Sequence, residues 1–272
     1  MKGERHFSGI GREAGVEGQN IQHFMSESPW SGEAVCRQVP DELKARPELL
    51  SGGVLLVDES ADEKAGDHSA GAGKQYNGRM GKVETSQVGV LLSYVNLKVA
   101  QGFWTWLDGN LFLPEGWFEE SHKGLRERLG IPKSRCFKTK VELAWELIEG
   151  VMSRGLSFEL VGFDTLYGRS GWLRDKVRGA GQVYMAEVPV DTPVYLEKPR
   201  LGIPERKGKR GRKPSHIQVL SREAVRADSL REQMAWRLIP VRTTERGDTR
   251  ANALPPAGCG RCMRVKRWKT GW

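Results

Sequence analysis

The sequence predicts an α/β fold, a mixed sheet with helices packed on its faces. Three observations carry this. Short apolar runs rich in Val and Leu recur at residues 54–57, 87–95 and 158–163, each the length of a buried strand. Residues 138–154 set their apolar side chains at helical spacing behind a capping box. The segments run strand, strand, strand, helix, strand, helix, strand, which joins an early antiparallel group to αβα units.

Residues 1–50 read as a partial helical N-terminal segment, polar throughout. Ser28 is the expected N-cap of a helix with Pro29 at its first position and Trp30 packed inward. Residues 51–245 hold the core. "GGVLLVDES" opens it, with Val54 to Val57 as a buried strand running straight into Asp58. Residues 61–85, "ADEKAGDHSAGAGKQYNGRMGKVET", read as a Gly-rich loop, long for a hairpin and therefore functional or wrapped on the surface. Strand 87–95 follows. Strand 103–113 sets Phe103, Thr105 and Leu107 on one face and Trp104 and Trp106 on the other. Trp104, Trp106 and Trp117 are all expected in the core.

In the helix at 138–154, Thr139 and Glu142 form the capping box. Val141, Ala144, Trp145, Ile148 and Met152 make the buried stripe, and Gly155 ends it. Strand 158–163, helix 171–178 and strand 183–188 complete the αβα part. Residues 189–215 are irregular and punctuated by Pro189, Pro193, Pro199, Pro204 and Pro214. Within them "ERKGKRGRKP" is either a solvated linker or a phosphate-contacting loop. A helix at 222–234 and a strand at 236–241 are expected next. Residues 246–272 form an anomalous basic tail without helical or strand period, which suggests a frameshift.

The chain has 272 residues and a formal charge of +9, which favours a polyanionic partner, nucleic acid first. No apolar run approaches the roughly 18 residues of a membrane span, and the N-terminus lacks an apolar signal-peptide core. The cysteines, Cys36, Cys136, Cys259 and Cys262, suggest no disulfide framework, so a reducing cytoplasm is the expected location. Cys259 and Cys262 form half of a zinc motif with no second pair, which chance spacing explains better.

Asp58 is not alone. Asp164 also ends an apolar strand, in "LVGFDTLYG". If the two strands are neighbours, the carboxylates face one site. Two hard carboxylates with open positions suit Mg²⁺ or Mn²⁺ and in-line phosphoryl transfer. The bland alternative is two unrelated strand-end caps.

"LLVDES", "HSAGAGKQYNGRMGKVETSQVGV", "LFLPEGWFEE", "FKTKVELAWELI" and "FDTLYG", in that order and preceded by "IQHFMSESPW", resemble bacterial insertion-sequence transposases of the DDE superfamily-endonuclease type. The resemblance implies an RNase H-like core with Asp58 on the first strand and Asp164 on the fourth. It implies hydrolysis of a phosphodiester at the element's end, then attack of the freed 3′-hydroxyl on target DNA. Both steps need a divalent metal and no covalent protein–DNA intermediate. DNA is then the partner, with Lys74, Arg79, Lys82, Lys207, Lys209, Arg210, Arg212 and Lys213 as phosphate contacts. Self-association on DNA is left open. His68 lies in the same Gly-rich loop, where a loop hydrogen bond suits it better than a role as base.

The family's third acid, a Glu on a later helix, is not found. Glu187 and Glu197 lie in the wrong place for it, and Glu245 comes too early. The chain therefore reads as a fragment, its fold incomplete at the C-terminus, and inactive. The competing readings are a non-catalytic DNA-binding remnant and an RNase H-like nuclease with an unusual third metal ligand. A third carboxylate near Asp58 and Asp164 discriminates between them.

Overall fold

The computed structural model describes residues 6–100, 102–205, 213–220 and 224–231, with the backbone of strands at 237–243, 249–254 and 263–264. Four helices lead into the sheet: α1 Phe7–Ala14, α2 Gly18–Glu27, α3 Gly32–Lys44 and α4 Pro47–Leu50. Ser28 is not the N-cap expected of it. It closes α2, because the residue before a proline is pushed to extended backbone, here φ −73° and ψ 139°. Ser31 caps α3 instead, accepting from the Ala34 N–H at 3.2 Å. Trp30 stays 39 % exposed and stacks on Phe24 rather than packing inward.

The main sheet is built from β1 Val54–Glu63, β2 Gly73–Asn77, β3 Lys82–Asn96, β4 Phe103–Phe112, β5 Leu160–Phe163 and β6 Tyr184–Glu187. Its order is β4-β3-β1-β5-β6, with β2 paired to the N-terminal end of β3 and a seventh, two-residue strand, Met263–Arg264, parallel to β6 at the far edge. β3 runs antiparallel to both of its neighbours, β4 and β1, and β5 and β6 run parallel to β1. This mixed α/β sheet agrees with the RNase H-like arrangement that the sequence implies. A buried polar lock fixes where β1 begins. The Tyr94 hydroxyl donates to the Leu49 carbonyl at 2.9 Å, and Asn96 Nδ2 donates to the Leu49 and Ser51 carbonyls.

Residues 61–85 are not one loop but nearly half strand. β1 runs on to Glu63, and β2 pairs with β3 from Gly73↔Ser86 to Asn77↔Lys82. Side chains that satisfy backbone hold this arm. Gln75 donates to the Gly71 and Ser86 carbonyls. Asn77 accepts from the Arg79 and Met80 N–H groups in the turn, and Gly81 adopts φ 70°. Polar residues in the pleat conceal such a strand, because period-2 alternation of apolar residues is what marks one.

Helices cover one face of the sheet. They are the long α6 Lys140–Ser153, the single turn α7 Thr165–Gly168 and α8 Gly171–Gly179, whereas α5 Lys123–Arg128 lies against the turns of residues 115–122. The Thr139–Glu142 capping box forms, and α6 buries Leu143, Ala144, Trp145, Leu147, Ile148 and Val151. That is a wider face than the expected stripe, whose Val141 and Met152 are only partly buried. It packs on Leu55, Val57, Val90, Leu92, Tyr94, Val161 and Phe163, and α8 adds Leu173 and Val177. Each of these large side chains contributes roughly 1.5–3 kcal/mol by leaving water.

The other face behaves differently. Trp104 and Trp106 are 54 % and 49 % exposed and meet edge to face with centroids 4.8 Å apart, so their expected place in the core is corrected. Among the described residues nothing packs over them as α6 packs over the opposite face. Trp117 is buried as expected, and its Nε1–H donates to the Ala72 carbonyl at 2.8 Å.

After β6 the described chain is irregular, with short pairings of Val225–Arg226 on Pro193–Val194 and of Gln218–Val219 on Leu201–Gly202. The helix expected at 222–234 is replaced by that strand pair and a 3₁₀ turn, Ala227–Arg231. Alternating Val225 and Ala227 serve a small separate cluster with Val194 and Leu230, which a short strand satisfies as well as a helix. The expected strand at 236–241 corresponds to the backbone strand Arg237–Thr243. Residues 206–212, with Lys207, Lys209, Arg210 and Arg212, lie outside the described residues, as do Cys259 and Cys262.

Two substitutions test this packing by urea unfolding. Thr139→Ala removes half the capping box and should cost about 1 kcal/mol. Gly168→Ala should cost more, because its Cβ would come within 1.8 Å of the Glu187 carbonyl oxygen, a backbone atom that cannot turn aside. Equal, near-zero losses would show that neither contact forms.

Candidate active site

The site grows out of strand register. Val57 pairs with Phe163, and Phe163 pairs with Ala186, across three parallel strands. The next residue on each strand is an acid: Asp58, Asp164 and Glu187. Successive strand residues alternate faces, so these acids leave the face that carries Val57, Phe163 and Ala186, which is the helix-covered one. Asp58 and Asp164 are both solvent-accessible. The two aspartates singled out from sequence therefore lie at neighbouring positions of neighbouring strands.

Each carboxylate is held. Asp58 Oδ1 accepts from the Glu59 N–H at 2.7 Å. Asp164 caps α7, with Oδ1 accepting from the Leu166 N–H at 2.9 Å and the Tyr167 N–H at 3.5 Å. Desolvation by the surrounding strands pushes the Asp58 carboxyl up from its ordinary value. The Glu59 N–H bond opposes this, while the negative charges of Asp164, Glu59 and Glu187 add to it. Asp58 thus feels three other acids, and a bound cation would relieve all of that repulsion at once.

Glu59 projects to the opposite face from Asp58 and meets Lys140 at the start of α6, Nζ to Oε2 2.7 Å, with both side chains largely buried. Beneath lies Tyr167, fully buried, its hydroxyl without a hydrogen-bond partner among the described residues. Burial drives the Tyr167 hydroxyl far up, and the charges of Glu59, Asp164 and Asp58 push the same way. It remains a neutral donor under the acids. Neither Glu59 nor Tyr167 was singled out from sequence. Only the adjacency of "DES" and the turn "FDTLYG" hinted at them.

Sequence position alone put Glu187 in the wrong place for a third acid; the register sets it next to Asp164. Even so, among the described residues no three His, Cys, Asp or Glu side chains are grouped so as to hold a metal ion. The site as folded offers two aspartates, and its hard oxygen donors suit a divalent cation that keeps most of its waters.

The cationic candidates separate. Lys74 and Arg79 are exposed on the β2–β3 arm. Lys82 is ion-paired with Glu84. Lys213 is exposed in the irregular segment. His68 is exposed beside Asp67, Nδ1 to Oδ1 3.0 Å. Cys36 and Cys136 are free thiols. Among the described residues no helix is long and apolar enough to cross a membrane.

The raised Asp58 carboxyl makes a signed prediction. The folded chain takes up this proton more readily than the unfolded chain does. The group's stabilising contribution is therefore fully present below the ordinary Asp range and is lost as pH rises through the shifted value. Asp58→Asn removes the ionisation and keeps the shape. In EDTA its thermal midpoint should exceed the parent's at neutral pH, and the gain should vanish below about pH 3. A gain that grows on acidification would refute the assignment.

Comparison with known proteins bears on what this site belongs to. A family described as DDE superfamily endonuclease matches residues 7–248. A probable transposase for insertion sequence element IS701 from Microchaete diplosiphon is 31 % identical over 157 residues, covering 56 % of this chain and 36 % of that relative. The match thus spans little more than a third of that relative's length. No solved structure matches the chain significantly. With the family match covering residues 7–248, from the first helix through six strands of the main sheet, the chain belongs to the DDE superfamily endonucleases, in line with the insertion-sequence transposases that its motifs resemble.

Proposed function

We propose that this chain acts on DNA as an insertion-sequence transposase would, through a two-aspartate, metal-dependent phosphodiester site, and that by itself it binds DNA without cutting it. The observation that carries the reading is the register that sets Asp58 beside Asp164. Asp58 and Asp164 would hold Mg²⁺ or Mn²⁺, leaving positions for water and phosphate oxygens. The bound ion supplies activation of the attacking water or 3′-hydroxyl and offsets charge on the leaving oxygen.

The chain's own residues prepare the site. The α7 N–H groups orient Asp164, and the Glu59–Lys140 pair ties the far side of β1 to α6. DNA is the substrate class because the IS701 relative is a transposase and because the net charge of +9 suits a polyanion. The cytoplasm is the compartment where such an element's DNA is found.

Cutting is not expected, because two carboxylates hold the ions loosely and a constellation short of one ligand loses orders of magnitude in rate. Glu187 supports a second reading, since its charge already acts on Asp58. On that reading it swings in as an unusual third ligand once a cation is present.

One assay separates these. DNA carrying the element's ends is incubated with the chain in Mg²⁺ or Mn²⁺, beside Asp58→Ala and Asp164→Ala. The expected outcome is a shifted DNA band that weakens steeply with salt, with no nicking above the controls. Nicking abolished by both substitutions would overturn the inactive reading. Its loss in Glu187→Gln as well would identify the third ligand.

A further inference from the structure

We infer that the β2–β3 arm is a duplex-DNA contact that continues the face carrying Asp58, holding the DNA within one helical turn of the two aspartates. This rests on the DNA reading above and adds a surface to it. The arm's side chains sort by strand alternation. Asp58 lies opposite Leu91 on β3, and Thr85 and Val83 share the face of Leu91. Lys74 pairs with Thr85 and Tyr76 with Val83, so all four side chains stand on the face of Asp58. Gln75, Asn77, Glu84 and Ser86 take the other face, where their hydrogen bonds hold the arm's shape.

The chemistry of the outer face fits a polyanion. Tyr76 is 56 % and Val83 62 % exposed, flanked by the exposed cations Lys74 and Arg79. Neither cation is ion-paired among the described residues, whereas Lys82, on the inner face, is bound to Glu84. Lys82 is therefore not part of the contact proposed here. One acid, Asp62, lies between the arm and Asp58, and Lys64 neutralises it at 2.7 Å. An exposed aromatic between two unpaired cations suits the sugar–phosphate edge of a duplex, where lysine and arginine take phosphates and register is set without base reading.

Geometry sets the reach. Lys74 and Tyr76 lie six and eight strand residues from the level of Asp58. At ~3.3 Å per residue that is at most ~26 Å, less than one duplex turn of ~34 Å. A duplex whose phosphate sits at Asp58 and Asp164 meets the arm before the helix comes round again. The arm is already ordered for this, anchored at its base by Trp117 and at its tip by Asn77.

The test uses the full chain and a 30-base-pair duplex, about three turns. The photo-cross-linker substitution Tyr76→p-benzoylphenylalanine should give a covalent DNA adduct on irradiation. The same change at Trp172, exposed on α8 of the helix-covered face, should give none. Lys74→Ala with Arg79→Ala should weaken binding about tenfold at moderate salt and lower the slope of log affinity against log salt by about 2. Adduct and slope change together support the inference. Binding of the double variant with unchanged affinity and slope overturns it, as does an adduct formed only with single strands or a parent chain that binds no duplex. Cutting, read separately through Asp58 and Asp164, leaves the arm's result standing either way.

Discussion

The pairing register of β1, β5 and β6 is the constraint on which the rest of the molecule depends. Val57, Phe163 and Ala186 lie side by side under the helix layer. The alternation of a strand then delivers the following residues, Asp58, Asp164 and Glu187, to the opposite face. A slip of one residue in β5 would send Phe163 out to solvent and Asp164 into the core, at the cost of burying a carboxylate without a partner. Burial of apolar side chains thus fixes the position of the acids, and the site inherits its geometry from the core.

Charge acts on top of that frame. β1 carries adjacent acids, Asp58 and Glu59, facing opposite sides of the sheet. Glu59 is matched by Lys140, so its burial is compensated. Asp58 has no such partner and is left desolvated among like charges, with its proton held more firmly than usual. A strand used only for packing would gain nothing from that arrangement. Desolvation is the larger cause and the neighbouring acids add to it, and this is where the proposed function would put a divalent cation.

Much of this was legible in the sequence, for identifiable reasons. α6 was readable because Thr139, Glu142 and a helical apolar stripe agree with one another. β1 and β5 were readable because four-residue apolar runs end in an acid. The β2–β3 arm was not, because Gln75, Asn77 and Ser86 fill the buried side of its pleat with polar groups and hide the strand period. Trp104 and Trp106 were misplaced because large aromatics are usually interior, and only the register shows which face they occupy. Glu187 was set aside because separation along the chain says nothing about which strand ends are neighbours. Residues matching a local rule were read well; those whose role comes from pairing across the sheet were not.

The two faces of the sheet obey different demands. The helix-covered face must exclude water, so it is filled with Leu, Val, Ile and one buried tyrosine ring after another, Tyr94 and Tyr167. On the acid-bearing face, by contrast, no described helix packs over the strand ends, which leaves room for the DNA contact proposed above. Keeping that face open leaves Leu56, Trp104 and Trp106 in water, an apolar exposure that a purely structural sheet would avoid. On the reading proposed above, the acids at the strand ends and Lys74 and Arg79 on the arm beyond them would serve one DNA-contacting face.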